Sequence, residues 1–449
     1  MTSLPAPVAN HKQNQLLRIL GVGFGIAVGV GDTVGSGILR TPGDVAAHLT
    51  TPSLVMAIWV LGAVYALFAT VSVTELSTML PQAGGWYIYS RRAFGDCVGF
   101  LVGCCDWMIQ SVAIAYMAVA LGEFAAALNR LFTGHIKLVA VASLCFLTFV
   151  NWLGIRVGSR TQQLTSLVKA LALLGFVVAC FARCPKNAVL VPAINYPTPT
   201  GSFLVGLFVA FQSVIITYDG WYAAIYFVEE DENPSRNMPR SAIGGVFACI
   251  AIFLLVNSAL LHILTMSRLA GSQMPAADAA MLVFGPHGRV VILGVSVVIV
   301  ISTINASLLI APRILFGMAR DNLFFGWATS INDGGTPSVA LLLSAIVSAA
   351  LVLGGSFETL VAIASFLFVM TYMSGFIALL ALRWREPELL RPFKTWGYPW
   401  TALGVLLASA IFLISSVVSD LKHCLFSLAF IAFSCAVYFR LVRKEVRDW

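Results

Sequence analysis

Long apolar blocks separated by short polar clusters run through the whole chain. An apolar helix of roughly 20 residues crosses the hydrocarbon core of a bilayer. Twelve blocks of that kind can be drawn, at 18–46, 52–80, 96–128, 137–154, 161–182, 203–229, 242–265, 281–317, 337–354, 358–382, 401–419 and 424–441. A closed barrel would alternate polar and apolar positions, and these blocks do not. The pattern predicts an all-α integral membrane protein with 12 transmembrane helices. Several blocks are longer than a crossing needs, which predicts tilt, kinks or extension beyond the core.

Two blocks are interrupted at membrane depth. The first carries Gly31-Asp32-Thr33-Val34-Gly35-Ser36-Gly37-Ile38, and the sixth carries Thr217-Tyr218-Asp219-Gly220-Trp221. Glycine weakens a helix through backbone entropy and the lack of a packing side chain. Backbone freed in this way cannot face lipid, so each break must be buried in protein or line a cavity. Helices 1 and 6 are therefore expected to be broken. Spans 1–5 and 6–10 each open with a break, and an odd number of crossings inverts the second unit relative to the first. That is the pattern of a 5+5 inverted repeat, with helices 11 and 12 outside it. The corresponding divisions are a cytoplasmic tail at 1–17, repeats at 18–200 and 201–395, and 396–449 for the last two helices and a short tail. Paired breaks in matching positions point to the binding site of a carrier.

Composition excludes a soluble fold: the 449 residues are 59% hydrophobic and 10% charged, with mean hydropathy +0.90. A net charge of +7 raises the question of nucleic acid. With both termini on one side, however, that side collects 18 of the 27 Lys and Arg and the other side eight, while Lys169 is left inside a span. This asymmetry is the positive-inside signature, so both termini are expected in the cytoplasm and no nucleic-acid partner is implied. Residues 1–17 lack the apolar core of a removable leader, so the first span is expected to remain. The nine cysteines lie mostly within apolar segments (Cys104, Cys105, Cys145, Cys180, Cys249, Cys435) and have neither metal-ligand spacing nor a disulfide framework. No nucleotide loop, zinc motif or nucleophile elbow is found; no cofactor, no metal and no enzymatic activity are expected.

The two breaks offer complementary chemistry. Unwinding at Gly35-Ser36-Gly37 leaves amide N–H groups without helical partners, suited to a carboxylate and aided by the positive end of the half-helix that follows; close packing through small residues is the plainer alternative. Carbonyl oxygens from Ile216 to Asp219 suit an ammonium, which has three donors and no acceptor. Together they fit a zwitterion, and hence an α-amino acid. Lys169 lies about eight residues into its span, ~12 Å along a helix, too deep for easy snorkelling. An intramembrane charge is functional by default, as a fixed cation near the first break or as a proton carrier. Asp32 and Asp219 could carry a proton or pair with a cationic substrate, or only bond the freed backbone. Asn305, in the polar cluster Ser302-Thr303-Ile304-Asn305-Ala306-Ser307, reads either as helix glue or as a site residue. Asp106 and Glu123 carry weaker signals, Glu75 is expected to face Arg91 or Arg92, and His262 reads as an interfacial histidine.

These segments resemble the amino acid–polyamine–organocation superfamily, most closely the L-type amino acid transporter branch and its bacterial relatives. The resemblance rests on Gly35-Ser36-Gly37-Ile38, and on Tyr218-Asp219-Gly220-Trp221 followed by Glu229-Glu230, Asn233-Pro234 and Arg236-Asn237-Met238-Pro239-Arg240. Glu75-Leu76, Pro81-Gln82-Ala83-Gly84-Gly85-Trp86-Tyr87, Ala319-Arg320-Asp321, Thr336-Pro337 and Arg391-Pro392-Phe393 extend it over nearly the whole chain. The resemblance implies a leucine-transporter-like fold, with substrate carboxylate on the amides of Gly35, Ser36 and Gly37 and its amino group on the carbonyls of Ile216, Thr217 and Tyr218. It also implies that Lys169 occupies the place of a structural Na⁺ in sodium-coupled relatives, so a second cation there is disfavoured. The expectation is a sodium-independent secondary amino acid transporter of the plasma membrane, exchanging substrate or coupled to protons. A cationic amino acid or polyamine carrier is the alternative, and a non-transporting sensor a weaker one because the tails are short. Ile216 stands where many L-type members place an aromatic, Tyr222 and Ile225 replace asparagines, and Asp32 stands at a normally neutral position. The loop at 129–137 has no cysteine, so no disulfide-linked heavy chain is expected.

Overall fold

A computed structural model describes residues 15–49, 51–183, 203–355, 357–419 and 421–442. The expected tails therefore fall largely outside the described residues, as does the junction near 200 between the two expected repeats. The described chain is helical, with only isolated bridges at Leu20–Asp231 and Ile331–Pro337. The α-helices run α1 (Val22–Thr33), α2 (Gly37–His48), α3 (Pro52–Met79), α4 (Trp86–Phe94), α5 (Asp96–Leu128), α6 (Ile136–Trp152), α7 (Ile155–Ala182) and α8 (Phe203–Thr217). After a 3₁₀ segment at Ala223–Glu230 come α9 (Pro234–Ile263), α10 (Met266–Ala270), α11 (Pro275–Phe284), α12 (Gly288–Arg320), α13 (Ser338–Gly354), α14 (Phe357–Arg385), α15 (Trp400–Ser419) and α16 (Leu421–Val437).

Seven segments among the described residues are long and apolar enough to cross a membrane, or eight when α1 and α2, bent by 48° at their break, count as one. Four shorter apolar helices, Ile136–Trp152, Phe203–Thr217, Ser338–Gly354 and Cys424–Arg440, fall on further expected segments. Most boundaries lie within a few residues of the expected ones. The eighth segment differs: residues 281–284 belong to α11, and positive φ at Gly285 (63°) separates it from α12.

Burial inverts the soluble pattern. On α7, Gln162, Ser166 and Lys169 are buried while Leu164, Leu167 and Leu171 are exposed. Polar atoms face the bundle and leucines face outward, as hydrocarbon solvent demands. Local sequence sets the helix ends. Thr51 caps α3, its Oγ1 accepting from the Leu54 amide at 3.4 Å, with Pro52 at the first turn. Pro234 starts α9, and Asp231 Oδ1 takes the Asn233 amide at 2.7 Å and Asn237 Nδ2 at 2.8 Å. That explains the Asn-Pro cluster as a structural corner.

The first and last described residues lie at one end of the bundle. The Ile19 and Leu20 amides donate to Glu230 O at 3.0 Å, and Tyr438 packs on Phe100 with ring centroids 5.6 Å apart. This end is densely paired. Arg313 grips Glu230 at 2.5 and 2.9 Å, and Arg320 pairs with Glu229 at 2.8 Å. Arg91 joins Asp96 at 2.7 Å and Asp321 at 2.6 Å, while Arg92 joins Glu386 at 3.0 Å. Glu75 does not face Arg91 or Arg92. It pairs with Arg383 at 2.6 Å and Arg391 at 3.2 Å and accepts the Thr395 amide at 2.7 Å, so it ties α3 to α14 and the following loop.

Candidate substrate site

The two breaks meet in the middle of the bundle. Between α1 and α2, the Val34 amide closes α1 on Val30 O at 3.0 Å and the Gly35 amide turns back to Thr33 O at 2.9 Å. Gly35 is thus already engaged, whereas the amides of Ser36, Gly37 and Ile38 at the start of α2 find no backbone acceptor among the described residues. In the second break, Ile216 O accepts the Asp219 amide at 3.2 Å and Gly220 O accepts the Ala223 amide at 3.0 Å. The carbonyls of Thr217 and Tyr218 accept no backbone donor among the described residues. Gly220 adopts φ +100°, and a Cβ there would stand 2.6 Å from the Thr33 amide nitrogen. The second break therefore rests directly on the backbone of the first, and only glycine permits it.

A cavity of about 260 Å³ lies between them. Asp32, Gly35, Ser36, Gly37, Ile216, Thr217 and Asp219 line it. So do Thr33 of the first break, Tyr222, and Thr303 and Ser307 of the polar cluster on α12, together with residues that the sequence did not single out: Arg40, Thr41 and Asp44 on α2; Gln110, Ala113, Tyr116 and Met117 on α5; and Ala364, Ser365 and Phe368 on α14. Asp44 is exposed, so the cavity reaches toward the end of the bundle away from the first and last described residues. Single small or polar residues inside apolar helices give no signal of their own, and only helix packing makes them neighbours.

The remaining expected site residues support the wall from behind. Ile38 is fully buried, and Tyr218 packs on Phe253 and Trp59 at 4.8 and 5.9 Å. Trp221 stacks on Phe376 at 6.3 Å. Lys169 is fully buried, and its Nζ donates to Gly31 O at 2.8 Å and Val34 O at 2.9 Å, the carbonyls that the first break would otherwise strand. Thr303 Oγ1 adds a second bond to Gly31 O at 3.1 Å. Asn305 does not line the cavity: its Oδ1 accepts from Asn151 Nδ2 and its Nδ2 donates to Gln162 Oε1, each at 2.8 Å. Gln162 continues to Ser166 at 3.0 Å, and Ser166 Oγ donates to Ala27 O at 2.7 Å. Asn305 is thus helix glue, joining α12, α6, α7 and α1.

The acids differ in their partners. Asp219 accepts a short hydrogen bond from the Tyr372 hydroxyl, and Asp32 accepts one from Ser307 Oγ at 3.4 Å. Asp106, below the cavity, accepts from Tyr226 OH at 2.7 Å. His262 is exposed and packs at a tilt on Phe181, with ring centroids 5.2 Å apart. No group of His, Cys, Asp and Glu fit to hold a metal occurs among the described residues.

An all-helical, multi-pass membrane protein with two interrupted helices around one central cavity has the architecture of a membrane carrier. The sequence profile of the amino acid permease family matches residues 24–439, and the chain belongs to that family, one of permeases rather than enzymes. The serine/threonine exchanger SteT of Bacillus subtilis is 26% identical over 440 residues, covering 97% of this chain and 99% of its own. The b(0,+)-type amino acid transporter 1 of Homo sapiens is 26% identical over 397 residues, covering 85% and 80%. The Asc-type amino acid transporter 1 of Mus musculus is 26% identical over 399 residues, covering 84% and 73%.

Proposed function

We propose that this chain is a sodium-independent secondary transporter that moves α-amino acids across the plasma membrane by alternating access. The observation that carries the proposal is the pair of breaks across one cavity, with unpaired amides at Ser36 and Gly37 on one side and, on the other, the open carbonyl of Thr217 on the wall with that of Tyr218 next to it in the chain. Donors and acceptors so arranged match a carboxylate and an ammonium on one carbon. In this reading Gly35, with Ile38 and Ile216, shapes the turn. Tyr218, Gly220 and Trp221 hold the second break, and Asp219 faces the substrate. Lys169 supplies fixed positive charge, and Asp32 is the group placed to respond to it.

Twelve crossings in a 5+5 inverted repeat, divided at 18–200 and 201–395, with two further helices and both termini in the cytoplasm, complete the proposal. The 18-to-8 excess of Lys and Arg supports that sidedness. The names of the relatives, an exchanger among them, favour exchange over proton-coupled uptake. A second reading, a carrier of cationic amino acids or polyamines, is favoured by Asp32 and Asp219 on the cavity wall. A polyamine, however, would leave the Ser36 and Gly37 amides without an anion.

The test is uptake of labelled proteinogenic L-amino acids into proteoliposomes, with and without internal amino acid, a pH gradient and Na⁺. Uptake that needs internal substrate means exchange, and uptake driven by the pH gradient means proton coupling. Binding without transport of any amino acid would overturn the proposal in favour of a sensor.

A further inference from the structure

Beneath the cavity, toward the end that carries the first and last described residues (the terminal end), an aromatic layer closes the bundle. Trp86 of α4 lies 5.4 Å from Tyr372, 5.7 Å from Tyr222 and 5.9 Å from Trp221. Tyr222 faces the cavity on one side and packs on Tyr226 at 6.0 Å on the other. The Tyr226 hydroxyl donates to Asp106.

This layer is poor in hydrogen bonds. Asp106 Oδ2, Gln110 Oε1, Trp86 Nε1, Tyr89 OH and Thr371 Oγ1 are buried and have no partner among the described residues. Asp106 is 1% exposed and Gln110 1%, one helical turn apart on α5, and Gln110 lines the cavity. Buried polar atoms are nearly always paired, because an unpaired one loses its water without return. Several in one layer, including a carboxylate oxygen, indicate a packing that another arrangement of the same helices would satisfy. No cation stands within ion-pairing distance of Asp106 among the described residues, in contrast to Glu75, Glu229 and Glu230, which all have one. Of these acids, only Asp106 keeps an open acceptor facing the closed layer.

We propose that Asp106 is a second acceptor for the substrate's ammonium group, met after the substrate leaves the Thr217 and Tyr218 carbonyls and before it reaches the end of the bundle bearing the termini. Tyr226 holds the carboxylate while the layer is shut. When the layer opens, the ammonium takes the place of that hydroxyl, and Gln110 Oε1 marks the turn between the two sites. The ligand is a primary ammonium on a small zwitterion or a cationic amino acid; a carboxylate alone would be repelled. This inference rests on the transporter reading above.

The test uses full-length protein in proteoliposomes of fixed orientation, with labelled L-amino acids offered separately to each face. For Asp106→Asn, KM at the face bearing the termini is expected to rise about tenfold or more, the loss of a charge-assisted hydrogen bond, while KM at the opposite face stays unchanged. Asp106→Glu should restore much of the difference. Tyr226→Phe, which removes the competing hydroxyl, should lower KM at the terminal face. Equal KM values at the two faces of Asp106→Asn with only a slower rate would make Asp106 a purely structural acid and overturn the inference. Loss of pH-gradient drive with KM intact would make it a proton carrier and overturn it equally. If Asp106→Asn does not fold, an unchanged terminal-face KM in Tyr226→Phe overturns it. A wild type that carries no amino acid would instead bring down the transporter reading, and this inference with it.

Discussion

Lys169 Nζ donates to the carbonyl oxygen of Gly31 at 2.8 Å, so a fully buried cation on α7 holds the backbone of α1 where that helix stops. The same ammonium reaches Val34 O at 2.9 Å, on the other side of the turn. Charge-assisted bonds of this kind contribute about 1.5–3 kcal/mol each. Lys169→Ala removes both, leaving Val34 O without its side-chain donor and Gly31 O with only the Thr303 hydroxyl at membrane depth. Initial uptake in proteoliposomes should fall more than about tenfold while the amount of folded protein in the membrane falls much less. Uptake at the wild-type rate would end the assignment of Lys169 to the site.

A resident ammonium also bears on coupling. Two unit charges about 4 Å apart repel by ~4 kcal/mol at an effective dielectric constant of ~20, so a sodium ion beside Lys169 is disfavoured. Replacing external Na⁺ by choline at constant ionic strength should leave uptake unchanged. A strict requirement for Na⁺ would show that the cation at this place is not Lys169 alone.

Gly37 tests the amide side of the site. A Cβ there would sit 3.3 Å from Thr217 Cγ2, tight but able to relax. Gly37→Ala should therefore weaken binding modestly, whereas the two further methyls of Gly37→Val would push against Thr217 and cover the open amides. Equilibrium binding of a labelled amino acid should be lost in the valine variant and only weakened in the alanine variant. Equal binding in both would mean that the carboxylate lies elsewhere.

The breaks were legible because glycine and acid within an apolar run have few explanations, and Lys169 stood out for the same reason. The partners of Glu75 were not legible. Arg383 and Arg391 are more than 300 residues away, and proximity in sequence favoured Arg91 and Arg92, which instead serve Asp96, Asp321 and Glu386. Gln110 was hidden because a lone polar residue in a span reads equally as helix glue, and the polar cluster that ends in Ser307 shared that ambiguity. Asn305, which carried the same ambiguity, is the glue. Gly35 looked like a carboxylate donor until its amide was seen turned back to Thr33 O. What the sequence carries well is where helices must stop; which side chains then converge depends on packing between distant segments.

The pair Glu230–Arg313 gives the most demanding prediction about stability. The two side chains are 0% and 1% exposed, with bonds of 2.5 and 2.9 Å, and the guanidinium lies 4.5 Å from the Phe227 ring centroid. Removing one partner of a buried pair strands the other charge and costs about 3–5 kcal/mol, whereas removing both together costs far less. Glu230→Gln should therefore lower the thermal midpoint in detergent more than Glu230→Gln with Arg313→Met. The Glu230 carbonyl also accepts the Ile19 and Leu20 amides, so the pair clamps the start of α1 against the end of the second broken helix. If that clamp keeps the terminal end shut, the double variant should remain folded yet expose this end. An introduced cysteine at Leu20, buried at 4% in the present arrangement, would then react faster with a polar maleimide applied from the face bearing the termini. Unchanged reactivity in a folded double variant would show that the pair contributes stability without restraining the opening.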